Sequence, residues 1–254
     1  MLSADQIITY HANSDLLRDR IILVTGAGDG IGKAAALACA AVGARVILAG
    51  RTVAKLEQVY DLITAAGQSE PVIYPIDLEH ATADDYDELC INIIDQLDRL
   101  DGLVHSAGIL GQRTPLNNYR QDVWGKVLQV NVTAQFQMTQ ALMPALEKSD
   151  DGSVIFTSSS VGKVGRAFWG AYAVSKFAVE GLVQVWAAEL EGLGSVRVNA
   201  LNPGATATNM RSQAFPAENP SELKTPEQIT PAYLYLLGTD SRHVNGQSIK
   251  AQAR

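Results

Sequence analysis

Basic side chains are scarce in this chain of 254 residues, which has 20 Lys and Arg against 27 Asp and Glu and a net charge of −7 at pH 7. Nucleic acids bind to positively charged protein faces, because such faces neutralise their phosphates. Anionic membrane surfaces attract clustered basic residues for the same reason. The composition therefore argues against nucleic acid and against a membrane as partners.

Cysteine and histidine are also rare. Cys39 and Cys90 fall in predicted helices without the spacing of a metal or disulfide pair, and we expect both to be buried small side chains in a reducing cytoplasm. The four histidines are scattered, so no metal site is expected. For His105, which ends a predicted strand, a packing role is favoured over a chemical one.

Long apolar runs and flexible linkers are missing as well. Residues 1–20 carry Asp5 and Asp15, which is untypical of a signal peptide or a spanning helix. We expect this N-terminal extension to form a small helix on the edge of a sheet. No Pro/Gly/Ser-rich linker, repeat or low-complexity tract interrupts the chain, and 47% of its residues are hydrophobic. The sequence therefore predicts a single domain over residues 1–254.

The short apolar runs alternate with amphipathic stretches, which is the pattern of an α/β fold. We predict helices between seven strands, near residues 21–25, 45–49, 71–76, 101–105, 152–157, 195–201 and 247–250. The runs are continuous rather than alternating, as in parallel strands that are buried on both faces. The expected fold is a doubly wound parallel sheet of about seven strands.

Three glycines follow the first strand at once. Gly26, Gly30 and Gly32 form a G-x-x-x-G-x-G pattern before a helix rich in small residues. Glycines at a strand-to-helix turn let the backbone approach a pyrophosphate, whose charge the helix N-terminus stabilises. An ordinary turn remains an equal alternative for the glycines alone. A P-loop is not expected, because Ala27 replaces its first glycine and Ala34 follows Lys33 where Ser or Thr is required.

The end of the second strand indicates which dinucleotide would bind. Gly50 and Arg51 follow the strand, and no acid stands where an NAD site places one for the ribose hydroxyl. Arg51 can pair with a 2′-phosphate, so NADP(H) is favoured and NAD(H) is the second choice. The alternative is that Arg51 pairs with a surface acid such as Glu57. Asp29 argues weakly against NADP(H), because some NADP-binding loops carry a basic residue there.

A tyrosine and a lysine four residues apart suggest acid–base chemistry. Tyr172 and Lys176 fall on one face of a predicted helix, and Ser159 precedes the tyrosine by thirteen residues. A nearby cation lowers the pKa of a phenol, and a serine can bind the same substrate oxygen. The three groups can move a proton onto or off a carbonyl oxygen. The alternative is an exposed Tyr–Lys pair on an ordinary helix.

Taken together, these motifs resemble the short-chain dehydrogenase/reductase family from residue 21 to residue 249. The stretches that carry the resemblance are Thr25-Gly26-x-x-x-Gly30-Ile31-Gly32, Asp77 in YPIDL, His105-Ser106-Ala107-Gly108, Asn131 in QVNVTAQF, Ser159, Tyr172-x-x-x-Lys176, Asn202-Pro203-Gly204 with Thr208, and HVNGQSIKA. The resemblance implies a Rossmann-type fold. It is strongest to a bacterial group of oxidoreductases, through LLRDRIILVTGAGDGIGK, FTSSSVGKVGRAFWGAYAVSKFA and LKTPEQITP, and that similarity assigns no substrate.

The resemblance also implies a role for each site residue. Tyr172 would be the acid in carbonyl reduction and the base in alcohol oxidation, and Lys176 would lower its pKa and bind the nicotinamide ribose. Ser159, rather than its serine neighbours, would orient the substrate oxygen, and Asn131 would hold a water that links Lys176 to solvent. The implied cofactor-binding residues are Gly26, Gly28, Asp29, Gly30, Ile31, Gly32, Arg51, Asp77, Leu78, Ser106, Ala107, Gly108, Tyr172, Lys176, Pro203, Gly204, Thr206 and Thr208.

The sequence departs from the family at two places. Ser106 stands where the family usually has Asn, which predicts weaker sheet support or a weaker ribose contact there. The substrate loop at 205–225 is short, which predicts a more open pocket. Phe168 and Trp169 are equally suited to wall that pocket or to anchor a helix. Helices over 123–146 and 167–190 are apolar on more than one face, and in this family such helices pair in homodimers or homotetramers.

The expected function is that of a cytoplasmic NADP(H)-dependent oxidoreductase that acts on a small-molecule carbonyl or secondary alcohol. A protein of the same fold that senses a dinucleotide or acts as a scaffold is the alternative, but it would not need all four catalytic positions. Non-redox chemistry on a sugar nucleotide is less favoured, because the chain is short and shows no further domain for such a ligand.

Overall fold

Seven parallel strands form one sheet in the order β3-β2-β1-β4-β5-β6-β7. The computed structural model describes residues 4–252, with side chains from residue 6 onwards; residues 1–3 and 253–254, at the ends of the predicted domain, lie outside the described residues. The strands are β1 Ile21–Thr25, β2 Arg45–Gly50, β3 Val72–Pro75, β4 Gly102–His105, β5 Ser153–Thr157, β6 Arg197–Asn202 and β7 Ser248–Lys250. Each predicted strand differs from the observed one by at most two residues at either end. The predicted parallel sheet is confirmed.

The central strands are buried because helices cover both faces of the sheet. The helices are α1 Ala4–Ile8, α2 Gly30–Ala41, α3 Val53–Ala65, α4 Ala83–Leu97, α5 Gln121–Leu128, α6 Ala134–Glu147, α7 Gly170–Glu189, α8 Asn209–Ala214 and α9 Thr230–Leu237. One core packs α2, α3 and α9 on the sheet, and another packs α4, α6 and α7 on the opposite face. Cys39 lies in the first core and Cys90 in the second, both as free thiols, as the sequence predicts.

The predicted helix over 123–146 is observed as α5 and α6 joined by a π-helical turn, Gln129–Thr133. The helix predicted from residue 167 begins later, at Gly170. Phe168 has φ +71° just before that start, a backbone conformation that a helix cannot continue. Among the described helices, none is long and apolar enough to cross a membrane.

The N-terminal helix packs on α9, so the prediction that it lies on the sheet edge is wrong. Ile7 is buried in the same core as α9, and the Tyr10 hydroxyl donates to Asp240 at 2.9 Å. The Tyr10 ring also contacts the Tyr235 ring edge-on at 5.4 Å between centroids. All residues from Ala232 to Leu237 of α9 are buried, so the outer side of this apolar helix needs a cover, which α1 and the residues after it provide.

A network of buried charges lies where β1, β4, β5 and β6 begin. Asp151 accepts from Arg197 Nε and from Arg20 Nη1, each at 3.1 Å, and lies 3.4 Å from Arg242 Nε. The side chains of Asp151 and Arg197 are each only 5% exposed. Asp101 accepts from the backbone N–H of Ile21 at 2.9 Å. These bonds join strands that are far apart in sequence, at the edge of the sheet opposite their carboxyl ends.

Candidate active site

A cavity of about 930 Å³ opens at the carboxyl ends of the strands. It spans the point where β1 and β4 lead to opposite halves of the sheet, which is where ligands bind in open α/β folds. Every residue that the sequence predicts for the site lines this cavity except Asn131, which is fully buried behind it. The predicted motifs therefore come together in one place.

The loop between β1 and α2 is shaped by its glycines. Gly26 and Gly30 have φ of +68° and +50°, a region that favours glycine. A Cβ on Gly32 would lie 2.3 Å from the carbonyl oxygen of Gly26, which no side chain can do. The glycines therefore bring the backbone at the start of the 12-residue helix α2 to the wall of the cavity.

Asp29 carries the negative charge of this loop and caps the helix. Its carboxylate accepts from Gly30 N at 2.7 Å, from Lys55 Nζ at 2.6 Å and from Asn209 Nδ2 at 3.2 Å. The hydrogen bond from Lys55 is the largest cause of the lowered pKa of Asp29. The ion pair with Lys55 offsets the charge that argued against a phosphate-bearing ligand.

Arg51 is exposed directly after β2 and lines the cavity. In the described part of the chain its side chain forms no ion pair within 4.0 Å, so the alternative pairing with Glu57 is not formed. Asp77 lies near enough to Arg51 for the guanidinium charge to affect the pKa of its carboxyl group. Burial acts to raise the pKa of Asp77, but hydrogen bonds from Glu79 and His80 and the charge of Arg51 lower it. An unpaired cation therefore stands beside the glycine loop.

The loop after β4 is tied to β1 by Thr25. The Thr25 hydroxyl accepts from the backbone N–H groups of Ser106 and Ala107, each at 3.1 Å. The sequence predicts weaker support for this loop because Ser106 replaces the usual Asn. In the structure, Thr25 of the neighbouring strand supports the loop. Thr25 was part of the recognised motif but was not predicted as a site residue. Its contacts could not be predicted, because they join strands that are 80 residues apart.

Asn131 lies in the π-helical turn and holds the same loop further along. Its amide accepts from Ile109 N at 2.8 Å and donates to Ile109 O at 2.9 Å and to Ser175 Oγ at 3.1 Å. A Cβ on Gly108 would lie 3.3 Å from Asn131 Oδ1 and 4.0 Å from Lys176 Nζ. Gly108 thus separates the amide from the lysine, and the role of Asn131 in a water relay stays a prediction.

Ser159, Tyr172 and Lys176 meet at the floor of the cavity. The Lys176 ammonium donates to the carbonyl oxygen of Thr157 at 2.6 Å and lies 5.6 Å from the centre of the Tyr172 ring. Ser159 lies beside Tyr172 and acts to lower the pKa of its hydroxyl. Ser158 points away and donates to Glu180 at 2.5 Å. Among the consecutive serines, this geometry favours Ser159 as the one that faces the cavity.

Burial controls the protonation of this group. It raises the pKa of Tyr172 to about 12, with the Ser159 hydrogen bond acting in the opposite direction. It lowers the pKa of Lys176 to about 8, opposed by the charge of Glu180. The pKa of Tyr172 is therefore raised, where the sequence predicted a pKa lowered by Lys176. The reason is that both side chains are shielded from water, which disfavours their charged forms.

The rest of the cavity has an apolar wall. Trp169 is 8% exposed, and its ring centre lies 5.6 Å from that of Tyr172 and 5.8 Å from that of Phe215. The Arg113 guanidinium stacks at 4.6 Å over Trp169 and donates to the carbonyl oxygen of Ala214. Trp169 therefore walls the pocket, whereas Phe168 is 52% exposed.

The short substrate loop is folded against this wall. It contains α8, and its two ends meet in a bridge between Thr206 and Lys224. Phe215 and Arg113 were missed by sequence reasoning. They come from segments about 100 residues apart, and neither belongs to a motif, so no local signal could have identified them.

His105 is fully buried, and its surroundings support a packing role. Its Nε2 is hydrogen-bonded to Thr139 Oγ1 at 2.8 Å, and its ring stacks on Phe156 at 4.6 Å. Burial lowers the pKa of His105 to about 3. The imidazole is therefore neutral and supports β4 from behind the site.

Asp77, Glu79 and His80 bring ligand atoms within 4.8 Å of one another. Asp77 already pairs with His80 at 3.2 Å, and Glu79 pairs with Lys126 at 2.6 Å. Clustered exposed side chains of this kind are common without a metal, so the cluster supports no metal site.

Comparison with known proteins agrees with this geometry. The sequence model of the family described as short chain dehydrogenase matches residues 20–219. The uncharacterized oxidoreductase YciK of Escherichia coli K12 is 51% identical over 243 residues, which make up 96% of each chain. A short chain dehydrogenase of Shigella flexneri, in complex with NADP, is 51% identical with a TM-score of 0.92, over 95% of this chain and 100% of its own. One from Escherichia coli CFT073, in complex with NADPH, shows the same identity, TM-score and coverage. This chain belongs to the short-chain dehydrogenase family.

Proposed function

We propose that this protein is an NADP(H)-dependent oxidoreductase that transfers a hydride between the nicotinamide and a small-molecule carbonyl or secondary alcohol. The observation that carries the proposal is the convergence of Ser159, Tyr172 and Lys176 in the cavity that also contains the glycine loop. A dinucleotide sensor of the same fold would not need this acid–base group beside the cofactor site.

The residues present fit a dinucleotide with a 2′-phosphate. The glycine loop brings backbone to the wall of the cavity at the start of α2, where a pyrophosphate would bind. Arg51 offers an unpaired guanidinium for the 2′-phosphate, next to Asp77 on the adenine side. The complexes of the two relatives with NADP and NADPH support the same choice, and NAD(H) remains the second choice.

The bound cofactor would supply the hydride, and the residues of the chain would handle the proton. Tyr172 donates its hydroxyl proton to the carbonyl oxygen during reduction, while Ser159 donates a hydrogen bond to the same oxygen. Lys176 binds the nicotinamide ribose hydroxyls and is held in place by the Thr157 carbonyl. With a pKa raised to about 12, Tyr172 keeps its proton at neutral pH.

A titration of the protein with NADPH and NADH, followed by nicotinamide fluorescence, tests the cofactor assignment. We expect tighter binding of NADPH. A preference for NADH would reverse the assignment to NADP(H), and binding of neither would refute the proposed enzyme.

The variant Tyr172→Phe tests the chemistry. We expect turnover of a carbonyl substrate with NADPH to fall by about 10² or more, because only the transferable proton is removed. The affinity for NADPH should stay within a few-fold of wild type. Tyr60→Phe is the matched control, because the Tyr60 hydroxyl bonds to Glu70 on the surface. Turnover of Tyr172→Phe close to that of the control would refute the assigned role.

We also propose that the protein is cytoplasmic and forms a homodimer or homotetramer through α6 and α7. Large apolar side chains are exposed on both helices, among them Phe136, Phe177 and Val185. Phe136, Val185 and Trp186 line a groove between the two helices, and a second copy with the same helices could cover it. Light scattering at micromolar concentration tests this, and a monomer would contradict it.

A further inference from the structure

Glu180 is a buried carboxylate that the chemistry above does not use. It lies on α7 four residues after Lys176 and is 7% exposed. One carboxylate oxygen accepts from Ser158 Oγ at 2.5 Å and from Ser248 Oγ at 2.9 Å, and the other lies 3.9 Å from Lys163 Nζ. A buried acid is costly unless its hydrogen bonds are made. These bonds join α7 to the end of β5 and to β7.

The bond from Ser158 connects Glu180 to the reacting groups. Ser158 lies between Thr157, whose carbonyl oxygen accepts from Lys176, and Ser159, which lines the cavity together with Tyr172. Ser159 has an extended backbone, and neighbouring side chains of an extended chain point to opposite sides. By holding the Ser158 side chain on the far side, Glu180 directs Ser159 into the cavity.

The charge of Glu180 acts on Lys176 as well. Residues four apart on a helix are neighbours on one face, so the carboxylate lies one turn behind the ammonium. The other charged or titratable groups around the pair are Lys163, His105 and Tyr172. The first adds positive charge, and burial keeps the other two neutral. Burial lowers the pKa of Lys176 to about 8, and the charge of Glu180 opposes that effect.

We propose that Glu180 is a positioning residue of this active site, which fixes Ser158 behind Ser159 and places a negative charge one helical turn from Lys176. The part that concerns turnover rests on the proposed function. The part that concerns the protonation of Lys176 can be measured without turnover.

The first test is Glu180→Gln, followed by NMR titration of lysines labelled with ¹³C at Cε. Gln keeps the size of the side chain and an oxygen that both serines can donate to, so only the charge is lost. Lys176 is assigned by the signal that is missing in Lys176→Arg. We expect its titration midpoint to fall by at least about half a pH unit, because a neighbouring negative charge favours the ammonium. Ser248→Ala is the matched control, which removes a bond to Glu180 without removing charge and should leave the midpoint unchanged.

An unchanged midpoint in Glu180→Gln would overturn the electrostatic part of the proposal. Glu180→Asp tests positioning, because it keeps the charge but shortens the reach to Ser158. We expect it to keep the Lys176 midpoint close to that of wild type while turnover falls several-fold. Wild-type turnover in this variant would overturn the positioning part. A midpoint that falls in Glu180→Gln, in a protein whose wild type turns over no carbonyl substrate, would refute the proposed function and support the role of Glu180.

Discussion

Asp151 can be tested as the centre of the buried charge network at the start of the strands. In Asp151→Asn, an amide N–H₂ replaces one carboxylate oxygen and faces a guanidinium that also donates. The side chains of Arg197 and Arg20 are only 5% and 12% exposed, so little water can replace the lost acceptor. Removal of one partner from a buried ion pair typically costs 3–5 kcal/mol. Arg197 keeps its bond to Ser241 Oγ at 2.9 Å, so we expect a loss near the lower end, about 3 kcal/mol.

The matched control is Asp15→Asn, which removes a surface partner. Asp15 pairs with Arg18 at 3.5 Å, with side chains 51% and 70% exposed. Surface pairs contribute little, so we expect a change within about 0.5 kcal/mol. The free energy of unfolding is measured by urea titration with circular dichroism, at low salt and in 1 M NaCl. Salt should not reduce the effect of Asp151→Asn, because buried pairs are poorly screened.

The network lies at the edge opposite the cavity, so the affinity of Asp151→Asn for NADPH should stay within about two-fold of wild type. A loss of stability below about 1 kcal/mol, no larger than that of an exposed pair, would refute the reasoning. It would mean that the arginines find other acceptors or that water reaches them.

Three further predictions concern the cavity and its support. Arg51→Gln should lower the affinity for NADPH by about ten-fold or more through the loss of a charge-assisted phosphate contact and leave the affinity for NADH nearly unchanged. The control Arg45→Gln, at the other end of β2, should change neither affinity. An equal loss of affinity for both cofactors in Arg51→Gln would contradict the phosphate contact. Gly32→Ala should abolish detectable cofactor binding, because its Cβ would lie 2.3 Å from a backbone oxygen. The control Gly125→Ala, with nothing within 4 Å of the added Cβ, should bind the cofactor normally and gain several tenths of a kcal/mol in stability. Normal binding by Gly32→Ala would show that the loop can shift. The pKa of His105 is about 3 in the folded protein, against an ordinary value of 6.5, so the unfolded chain binds more protons between these values and the free energy of unfolding decreases as the pH falls from 6.5 towards 3, by at most about 1.4 kcal/mol per pH unit. Denaturation at pH 7 and pH 5 should therefore show a smaller loss of stability in His105→Gln than in wild type. Equal losses would rule out this contribution.

Those features of the fold that depend on neighbouring residues could be predicted from the sequence. Continuous apolar runs located the strands, because buried parallel strands need apolar side chains on both faces. The glycine loop and the spacing from Tyr172 to Lys176 likewise located both ends of the cavity. In each case the chemistry is set by a few residues close in sequence, so their pattern is visible before the chain folds.

Features that arise from packing could not be predicted. The pocket wall at Trp169 is supported by Phe215 and Arg113, which come from two other, distant segments. The direction of the pKa shift of Tyr172 was predicted wrongly, because the spacing of residues reveals a nearby cation but not how deeply the phenol is buried. The position of α1 was also wrong, since nothing within residues 1–20 shows that α9 needs a cover on its outer side.

The site forms only if the π-helical turn that carries Asn131 contains the right number of residues, as well as the right residue types. Such a turn holds one residue more than an α-helical turn. Deletion of one residue from Gln129–Thr133 would let α5 continue into α6 as ordinary helix, and the narrower turn would displace the Asn131 side chain. The amide would then lose Ile109, and the loop after β4 would lose its anchor. An insertion or deletion here should therefore be rejected during evolution even where substitutions are accepted.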